Sequence, residues 1–409
     1  MTWHATFPGG LNAKGALTSG AGLPVANFNS AVTGLALARK QTAYDSVWGD
    51  CDSLYMLDMW QLRHFNLENS RILEGCTSYN LQYKVAAAET GVKRVLLTAS
   101  QTSGFIVGST VSVGDKGSNS SVDRYNTWMR DIADKVKVKS IETVTVGGTD
   151  YSAVNLDVAD SFDVPETAYI SSMPWHSGAT EALPGHSDGA PGSLTNGKYP
   201  CRWAGVEMLN GAYVVGLDPL WNVTTVDGGV TYTAMACRDS EKEAGSVTAN
   251  HVKVAEKTFT SVNAWNYELS MQNVSTESLL PDKTGGGDTV GMKSAFYVYG
   301  SAGVRCPWRY GNLNNAGIAG AACANGNNSP ANSNWNGVPR PTEILRHSPK
   351  LRRIALCYPC RRLKSCETDT APGFGRGYAL RAHGGASSRT PRPCTNCLLY
   401  TSPSPRDMR

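Results

Sequence analysis

The sequence predicts an α+β fold in which a helix and several strands are interrupted by a second, β-rich module. Three observations support this prediction. A stretch near residue 60 repeats apolar residues at three- and four-residue intervals, as in an amphipathic helix. Residues 81–251 change to short alternating segments with glycine between them, as in a small barrel or sandwich. Strand-like segments then resume, so we divide the body into residues 41–80, 81–251 and 252–340.

The first elements are an arm and a helix. Residues 1–40 are rich in Gly, Ala and Asn, which indicates an extended arm or loop that could dock on a partner subunit. The helix prediction runs from Asp52 to Ser70, with Asp52 or Ser53 as its cap and Gly75 beyond its end. Its apolar stripe consists of Leu54, Leu57, Trp60, His64 and Leu67.

Strands dominate the predicted insertion. Segments with β-branched residues and alternation lie at 94–98, 105–107, 110–113, 141–146 and 153–158. A helix over Val122–Val136 would interrupt them, because its apolar residues recur on one helical face. Asp227-Gly228-Gly229 between two β-branched runs predicts a hairpin. In the third part, strands are expected at 258–262, 265–269 and 294–299.

Composition limits the classes of function. With 409 residues and 41% hydrophobic residues, the chain can form two or three packed domains. No stretch approaches the roughly 20 apolar residues of a membrane span, and the first residues lack a secretion signal. We therefore expect no membrane insertion and assembly in a bacterial cytoplasm. Residues 1–340 carry a net charge of −5, which argues against nucleic acid as a partner.

The last 69 residues differ from the rest, with a net charge of +9. Their five cysteines, which include two C-x-x-C pairs, suit a structural zinc site. These are Cys357, Cys360, Cys366, Cys394 and Cys397. The segment from Cys397 to Asp407, however, resembles a translated sequencing adapter. We favour the second interpretation, in which residues 341–409 are a non-native, disordered tail, and exclude them from fold reasoning.

The most distinctive segment is rich in asparagine. Nine of the 25 residues from Asn312 to Asn336 are Asn, between aromatic residues and strand-like segments. Side-chain amides both donate and accept hydrogen bonds, so this pattern predicts an adaptable binding face. The alternative is that Asn only forms turns, which it also favours. The candidate ligand-binding residues are Tyr310, Asn312, Asn314, Asn315, Asn325, Asn327, Asn328, Asn332, Asn334, Trp335 and Asn336.

This segment carries a resemblance to a known family. Residues 309–315, 324–330 and 334–340 resemble the closing segment of C-type-lectin-fold proteins related to the formylglycine-generating enzyme. Within that group they are most similar to phage and bacterial variable proteins that a diversity-generating retroelement mutates at adenines, which makes Asn codons its targets. The resemblance implies a C-type-lectin-like domain interrupted by the β-rich module, with the Asn-rich segment as its binding face.

Taken together, these features predict a phage virion protein of tail-fibre or receptor-binding type. Its expected partners are a host cell-surface protein or glycan, other virion subunits and further copies of itself. We expect recognition without catalysis, and no cofactor. Two alternatives remain: an oxidoreductase of the formylglycine-generating type that uses Cys306 and Cys323, and a purely structural phage component.

Metal binding is a weaker possibility. His176, His186 and Asp188 offer the residue types of an iron site, but loop histidines at a surface are commoner. Asp157, Asp160 and Asp163 lack the pattern of a calcium loop. We therefore predict no metal site.

Overall fold

The computed structural model describes residues 2–70, 74–182, 195–272 and 277–344, which belong to one compact unit. Strands make up 38% of the structure and helices 14%. The expected α+β class is therefore wrong, and the fold is β-rich. The reason is that short strands form in every part of the described chain, including regions where the sequence predicted an arm or a helix.

The strands are short and numerous. In the first half of the chain they are β1 (Thr2–His4), β2 (Gly10–Leu11), β3 (Leu17–Thr18), β4 (Asp45–Val47), β5 (Gln82–Lys84), β6 (Glu89–Val92), β7 (Arg94–Leu97), β8 (Thr110–Asp115), β9 (Ala133–Val146), β10 (Thr149–Leu156), β11 (Phe162–Val164) and β12 (Ala168–Met173). In the second half they are β13 (Cys201–Trp203), β14 (Val206–Met208), β15 (Tyr213–Val215), β16 (Leu220–Val226), β17 (Gly229–Cys237), β18 (His251–Phe259), β19 (Ala264–Met271), β20 (Pro281–Thr284), β21 (Ala295–Val298), β22 (Gly303–Arg305), β23 (Trp308–Arg309), β24 (Ala324–Asn325), β25 (Gly337–Pro339) and β26 (Pro341–Ile344).

Four α-helices occur in the described residues: α1 (Ala31–Ala38), α2 (Asp50–His64), α3 (Ala99–Thr102) and α4 (Ala179–Ala182). The helix predicted over residues 52–70 is confirmed as α2. It begins with the side chain of Asp52 accepting a hydrogen bond from the Gly49 backbone, and it ends six residues early because Phe65 adopts a left-handed conformation. Its buried face includes Met56, Leu57 and Trp60.

The predicted helix over Val122–Val136 is wrong. A 3-10 turn covers only Thr127–Arg130, and β9 begins at Ala133. The three- and four-residue spacing was coincidental, because Val136 instead pairs with Val111 across β8 and β9. Pairing with a neighbouring strand thus overrode a local helical pattern. Residues 105–107, predicted as a strand, instead belong to the irregular connection between α3 and β8.

A six-stranded sheet with the order β5-β12-β8-β9-β10-β7 occupies the first part of the predicted insertion. Its strands pair antiparallel, and one face buries the side chains of Val95, Val113, Val154 and Ile170. Four strands predicted from sequence, at 94–98, 110–113, 141–146 and 153–158, lie in this sheet. Strand β15 lies before residue 251, yet it belongs to a second sheet that also contains strands after residue 251. The predicted domain boundary at residue 251 therefore does not separate the sheets.

A seven-stranded mixed sheet with the order β20-β19-β21-β24-β23-β15-β25 carries the Asn-rich segment. The pairs β21-β24 and β15-β25 are parallel and the others are antiparallel. A four-stranded sheet, β18-β17-β16-β22, lies beside it. The predicted hairpin at Asp227-Gly228 is confirmed as the connection between β16 and β17. Aromatic side chains of both sheets, including Trp221, Tyr232 and Phe296, share one core.

The two ends of the described chain meet in a three-stranded sheet, β1-β26-β4. Thr2 pairs with Ile344, and His4 pairs with Thr342. Residues 1–40 were expected to form an extended arm, but residues 2–40 form β1, the β2-β3 hairpin and α1 instead. Leu17, Ala31 and Leu35 are buried against Val215 and Trp308 of the seven-stranded sheet. The isolated apolar residues of this segment are therefore core residues.

A buried ion pair joins α2 to the seven-stranded sheet. The guanidinium of Arg309 donates to both carboxylate oxygens of Asp50, at 2.8 and 2.7 Å. It also donates to the carbonyl oxygens of Ala322 and Leu279. Asp50 and Arg309 have side-chain exposures of 0% and 1%. This pair fixes the position of β23, from which the Asn-rich segment begins.

Candidate ligand-binding face

The predicted binding residues do not share one environment. Asn314 and Asn332 are exposed. Five are half-buried: Asn315, Asn325, Asn327, Asn328 and Asn336. Four are buried: Tyr310, Asn312, Asn334 and Trp335.

Tyr310 lies in the core. Its hydroxyl donates to Ser53 Oγ at 3.0 Å and accepts from Trp48 Nε1 at 3.1 Å. Burial raises the pKa of Tyr310 to about 12. These contacts tie the start of the Asn-rich segment to α2, which is a structural role rather than the expected contact with a ligand.

Trp335 also has a structural role. Its ring packs with Cys76, Trp175 and Leu313, and the guanidinium carbon of Arg124 lies 4.7 Å from the ring centroid. Its exposed fraction is 8%. We therefore leave Tyr310 and Trp335 out of the face that we propose below.

Several Asn side chains stabilise turns. The side-chain oxygen of Asn312 accepts from the backbone N–H of Asn314, and that of Asn315 accepts from the N–H of Asn312. Asn325 and Asn332 do the same for the N–H groups of Asn327 and Ser329. The turn chemistry that was the alternative reading of this segment is therefore present. Each such bond uses the amide oxygen and leaves the N–H groups of the amide for other contacts.

Two of the Asn residues converge on one phenol. Side-chain hydrogen bonds link Asn325 and Asn315 to the Tyr213 hydroxyl, and Tyr125 lies close enough to interact with it electrostatically. Burial raises the pKa of Tyr213, while the two Asn hydrogen bonds act to lower it. Tyr125 is 60% exposed. The structure thus brings Tyr125 near the segment 315–325, which lies almost 200 positions later in the sequence.

The sheet extends this cluster with a row of side chains on one face. Directly opposite residues on neighbouring strands share a face of the sheet. Trp265 lies opposite Tyr297, Tyr297 opposite Asn325, and Asn325 opposite Trp308. Trp308 is buried beneath α1 and its neighbours, whereas Asn325, Tyr297 and Trp265 are half-buried. The row therefore passes from the core to the surface.

We define the amide face as Tyr125 together with Asn314, Asn315, Asn325, Asn327 and Asn328. The last two follow Asn325 in a turn that two backbone bonds hold: Gly326 N–H donates to Tyr297, and Cys306 N–H donates to Asn328. The side-chain oxygen of Asn327 is buried, and no described residue donates to it. A buried acceptor of this kind gains free energy from any donor that reaches it.

The sequence indicated neither Tyr125 as part of this face nor Trp265 and Tyr297 as members of the row beside it. Tyr125 was assigned to the helix that does not form, and the other two were read as strand residues. Alternation along β21 is the one available signal: Phe296 and Val298 are buried, so Tyr297 between them must lie on the opposite face.

The cysteines of the oxidoreductase alternative are fully buried. Cys306 and Cys323 each have 0% exposure, and neither is in a disulfide. Burial raises the pKa of Cys306 to about 12 and raises that of Cys323 well above its ordinary value. Since the thiolate is the reactive form, this environment does not activate either sulfur.

The remaining candidates are as follows. His176 is half-buried, and its Nε2 lies 2.7 Å from the Lys135 carbonyl oxygen. The other two candidate iron ligands, His186 and Asp188, lie outside the described residues. The five cysteines of the tail also lie outside them. Asp157 and Asp160 are exposed in the connection between β10 and β11, and Asp163 is exposed within β11. In the described part of the chain, no three His, Cys, Asp or Glu side chains are grouped as metal ligands.

None of the described helices has the length and apolar character needed to cross a membrane.

Comparisons with known proteins add no relative. No protein-family model matches the chain, and no curated protein is significantly similar to it.

Proposed function

We propose that this chain is a receptor-binding protein of a phage virion and that the amide face binds a molecule of the host cell surface without chemical change. The observation that carries the proposal is the arrangement around Tyr213. Asn315 and Asn325 are held by a buried phenol and by turn hydrogen bonds, beside the exposed ring of Tyr125.

Rigid support is what recognition by amides requires. Ordering a loop on binding costs free energy, so loops that are already ordered bind more tightly. Here the backbone bonds of Gly326 and Cys306 and the amide oxygens of the Asn residues fix the loops before a ligand arrives. Exposed Asn314 and Tyr125 then offer hydrogen bonds and contact area.

The same arrangement suits diversification by a retroelement, which we include in the proposal. Replacement of Asn314 or Asn328 leaves the core untouched, because neither side chain is buried. Asn312, Asn334 and Tyr310 are buried, so their replacement costs stability. Within the segment, the positions that tolerate replacement are therefore also the positions that a ligand can reach.

Binding to intact cells tests the proposal. The labelled full chain is applied to a panel of bacterial strains, and retention is measured by flow cytometry. For a strain that binds, we expect Asn314→Ala with Tyr125→Ala to lower the affinity at least about tenfold, as for loss of central contacts in other interfaces. Asn250→Ala is the matched control, since Asn250 is exposed next to β18, on the four-stranded sheet.

Equal loss of retention in the control and the double variant would mean that binding does not use the amide face. Retention that survives both changes would have the same meaning. A chain that binds no strain of the panel contradicts the proposal for those hosts and favours a purely structural role.

A further inference from the structure

A surface cavity of about 390 Å³ opens beside the six-stranded sheet, between the start of β9 and the connection from β10 to β11. Its volume is at the lower end of the range for small-molecule sites. The exposed carboxylates of Asp157 and Asp160 lie in its lining. Its apolar walls are half-buried side chains that also pack against the core of the sheet: Ile132, Val136, Val158 and Phe162.

We propose that this acidic cavity binds a small organic cation, in which a primary ammonium group is joined to a compact apolar body. The apolar body packs against the hydrocarbon walls, and the ammonium donates hydrogen bonds to Asp157 and Asp160. Lysine side chains use the same division, because their stems cover apolar surface while their charged heads stay in water. The proposal does not rest on the function proposed above, since no residue of the amide face lines this cavity.

The two carboxylates select a cation. Neither the Asp157 nor the Asp160 side chain has an ion-pair or hydrogen-bond partner among the described residues. The ammonium of Lys93 comes to the same connection, but it donates to the carbonyl oxygen of Ala159, at 2.5 Å. Both carboxylates are therefore available to a ligand. Attraction between opposite charges is stronger beside an apolar wall than in bulk water, because the effective dielectric constant is lower there.

The lining does not suit a bare metal ion. Calcium takes about six to eight oxygen ligands, and no group of three His, Cys, Asp or Glu in the described chain could hold a metal. Hydrocarbon walls offer no ligand to a metal ion. They do gain free energy by covering an apolar group, so an organic cation makes use of the whole lining.

Hydrogen bonds hold the connection that carries the carboxylates. The Asp157 N–H donates to the Lys137 carbonyl oxygen at 2.9 Å, and Lys93 holds the carbonyl oxygen of Ala159. Beyond them, Phe162 begins β11 and pairs with Val92 of β6. A wall that is already ordered adds little entropy cost to binding. For a ligand this small, we expect a dissociation constant of about 0.1–1 mM.

Methyl NMR of the full chain, labelled at isoleucine, tests the proposal at the cavity itself. The probe is phenethylamine, and the signal of Ile132 is assigned with the variant Ile132→Val. We expect phenethylamine to shift this signal saturably. The signal of Ile170 should stay in place, since Ile170 is buried in the same core but does not line the cavity.

Three matched compounds separate the two parts of the ligand. Methylamine keeps the charge without the apolar body, 2-phenylethanol keeps the body without the charge, and 3-phenylpropionate reverses the charge. Each should bind at least about tenfold more weakly than phenethylamine, because each loses one of the two interactions.

Variants of the protein test the carboxylates. Asp157→Asn and Asp160→Asn should each raise the dissociation constant about threefold, and the double variant should raise it about tenfold. The matched control is Asp163→Asn, which neutralises a neighbouring exposed carboxylate outside the cavity lining. It keeps an oxygen for the hydrogen bond from the Gly91 N–H, so it should leave the dissociation constant within about twofold.

Several results would overturn the proposal. One is the lack of a saturable shift of the Ile132 signal up to about 10 mM phenethylamine. Another is equal binding of 2-phenylethanol, which would show that the cavity does not select a cation. The proposal also fails if the double variant keeps its affinity, or if Asp163→Asn loses as much affinity as Asp157→Asn.

Discussion

Replacing Arg309 by Met should destabilise the protein strongly without touching its surface. Met has similar length but no charge and no donors. Asp50 would keep the hydrogen bond from the Leu279 N–H but would lose two bonds from the guanidinium. The carbonyl oxygens of Leu279 and Ala322 would lose a donor as well.

The magnitude follows from burial. An unpaired buried charge typically costs 3–5 kcal/mol, so we expect a loss of about 4 kcal/mol in the free energy of unfolding. The pair of Arg94 and Glu89 provides a matched control with similar two-point geometry, at 3.1 and 2.7 Å. Arg94 has a side-chain exposure of 28%, so Arg94→Met should cost only about 0–1 kcal/mol.

Urea unfolding monitored by tryptophan fluorescence measures both losses under the same conditions. A third protein, Asp50→Leu with Arg309→Met, removes both charges and should regain part of the loss, because no unpaired charge is left in the core. If Arg309→Met costs no more than Arg94→Met, the buried pair does not hold α2 to the sheet and our account of this region is wrong.

The remaining predictions concern two other buried groups. Burial raises the pKa of Glu268 to about 7, against an ordinary value of 4.5. The folded chain therefore keeps this proton up to about pH 7 while the unfolded chain loses it near 4.5, so stability should fall as pH rises through that window and then level off. Glu268→Gln should lack the part of the fall that Glu268 contributes, and the difference between the urea midpoints of the two proteins across pH 4–8 measures that part. Tyr310→Phe removes the hydroxyl shared by Ser53 and Trp48, and it should lower stability by about 1 kcal/mol while leaving cell binding unchanged. If a folded Tyr310→Phe protein binds cells more weakly, Tyr310 belongs to the binding face and our assignment of a purely structural role is wrong.

Part of the fold was accessible from the sequence. Helix α2 was predicted because Leu57 and Trp60 repeat at helical spacing behind a capping carboxylate, and both are buried as expected. The β16-β17 hairpin was predicted because Asp227-Gly228 suits a tight turn. In each case the signal is local. The false helix at residues 122–136 shows the limit, since the pairing of Val136 with Val111 depends on a distant strand.

The candidate site was accessible only in part, for the same reason. The density of Asn identified the segment, but composition cannot tell an amide that caps a turn from one that faces a ligand. Burial separates them: Asn312 and Asn334 are enclosed, whereas Asn314 is exposed. Tyr125 comes close to Tyr213, the phenol that Asn315 contacts, although the two tyrosines are almost 90 positions apart and the strands beside them belong to different sheets.

The pairing of β1 with β26 has a consequence for biosynthesis. Thr2 to His4 can find their partners only after Thr342 to Ile344 have been translated and have left the ribosome. Until then Thr2 to His4 must wait with their backbone donors and acceptors open to water or to a chaperone. Contacts between such distant residues also slow folding. A nascent chain that stalls before residue 341 therefore lacks β26, the central strand of β1-β26-β4, so β1 and β4 have no partner in this sheet and proteases should recognise the chain as incomplete.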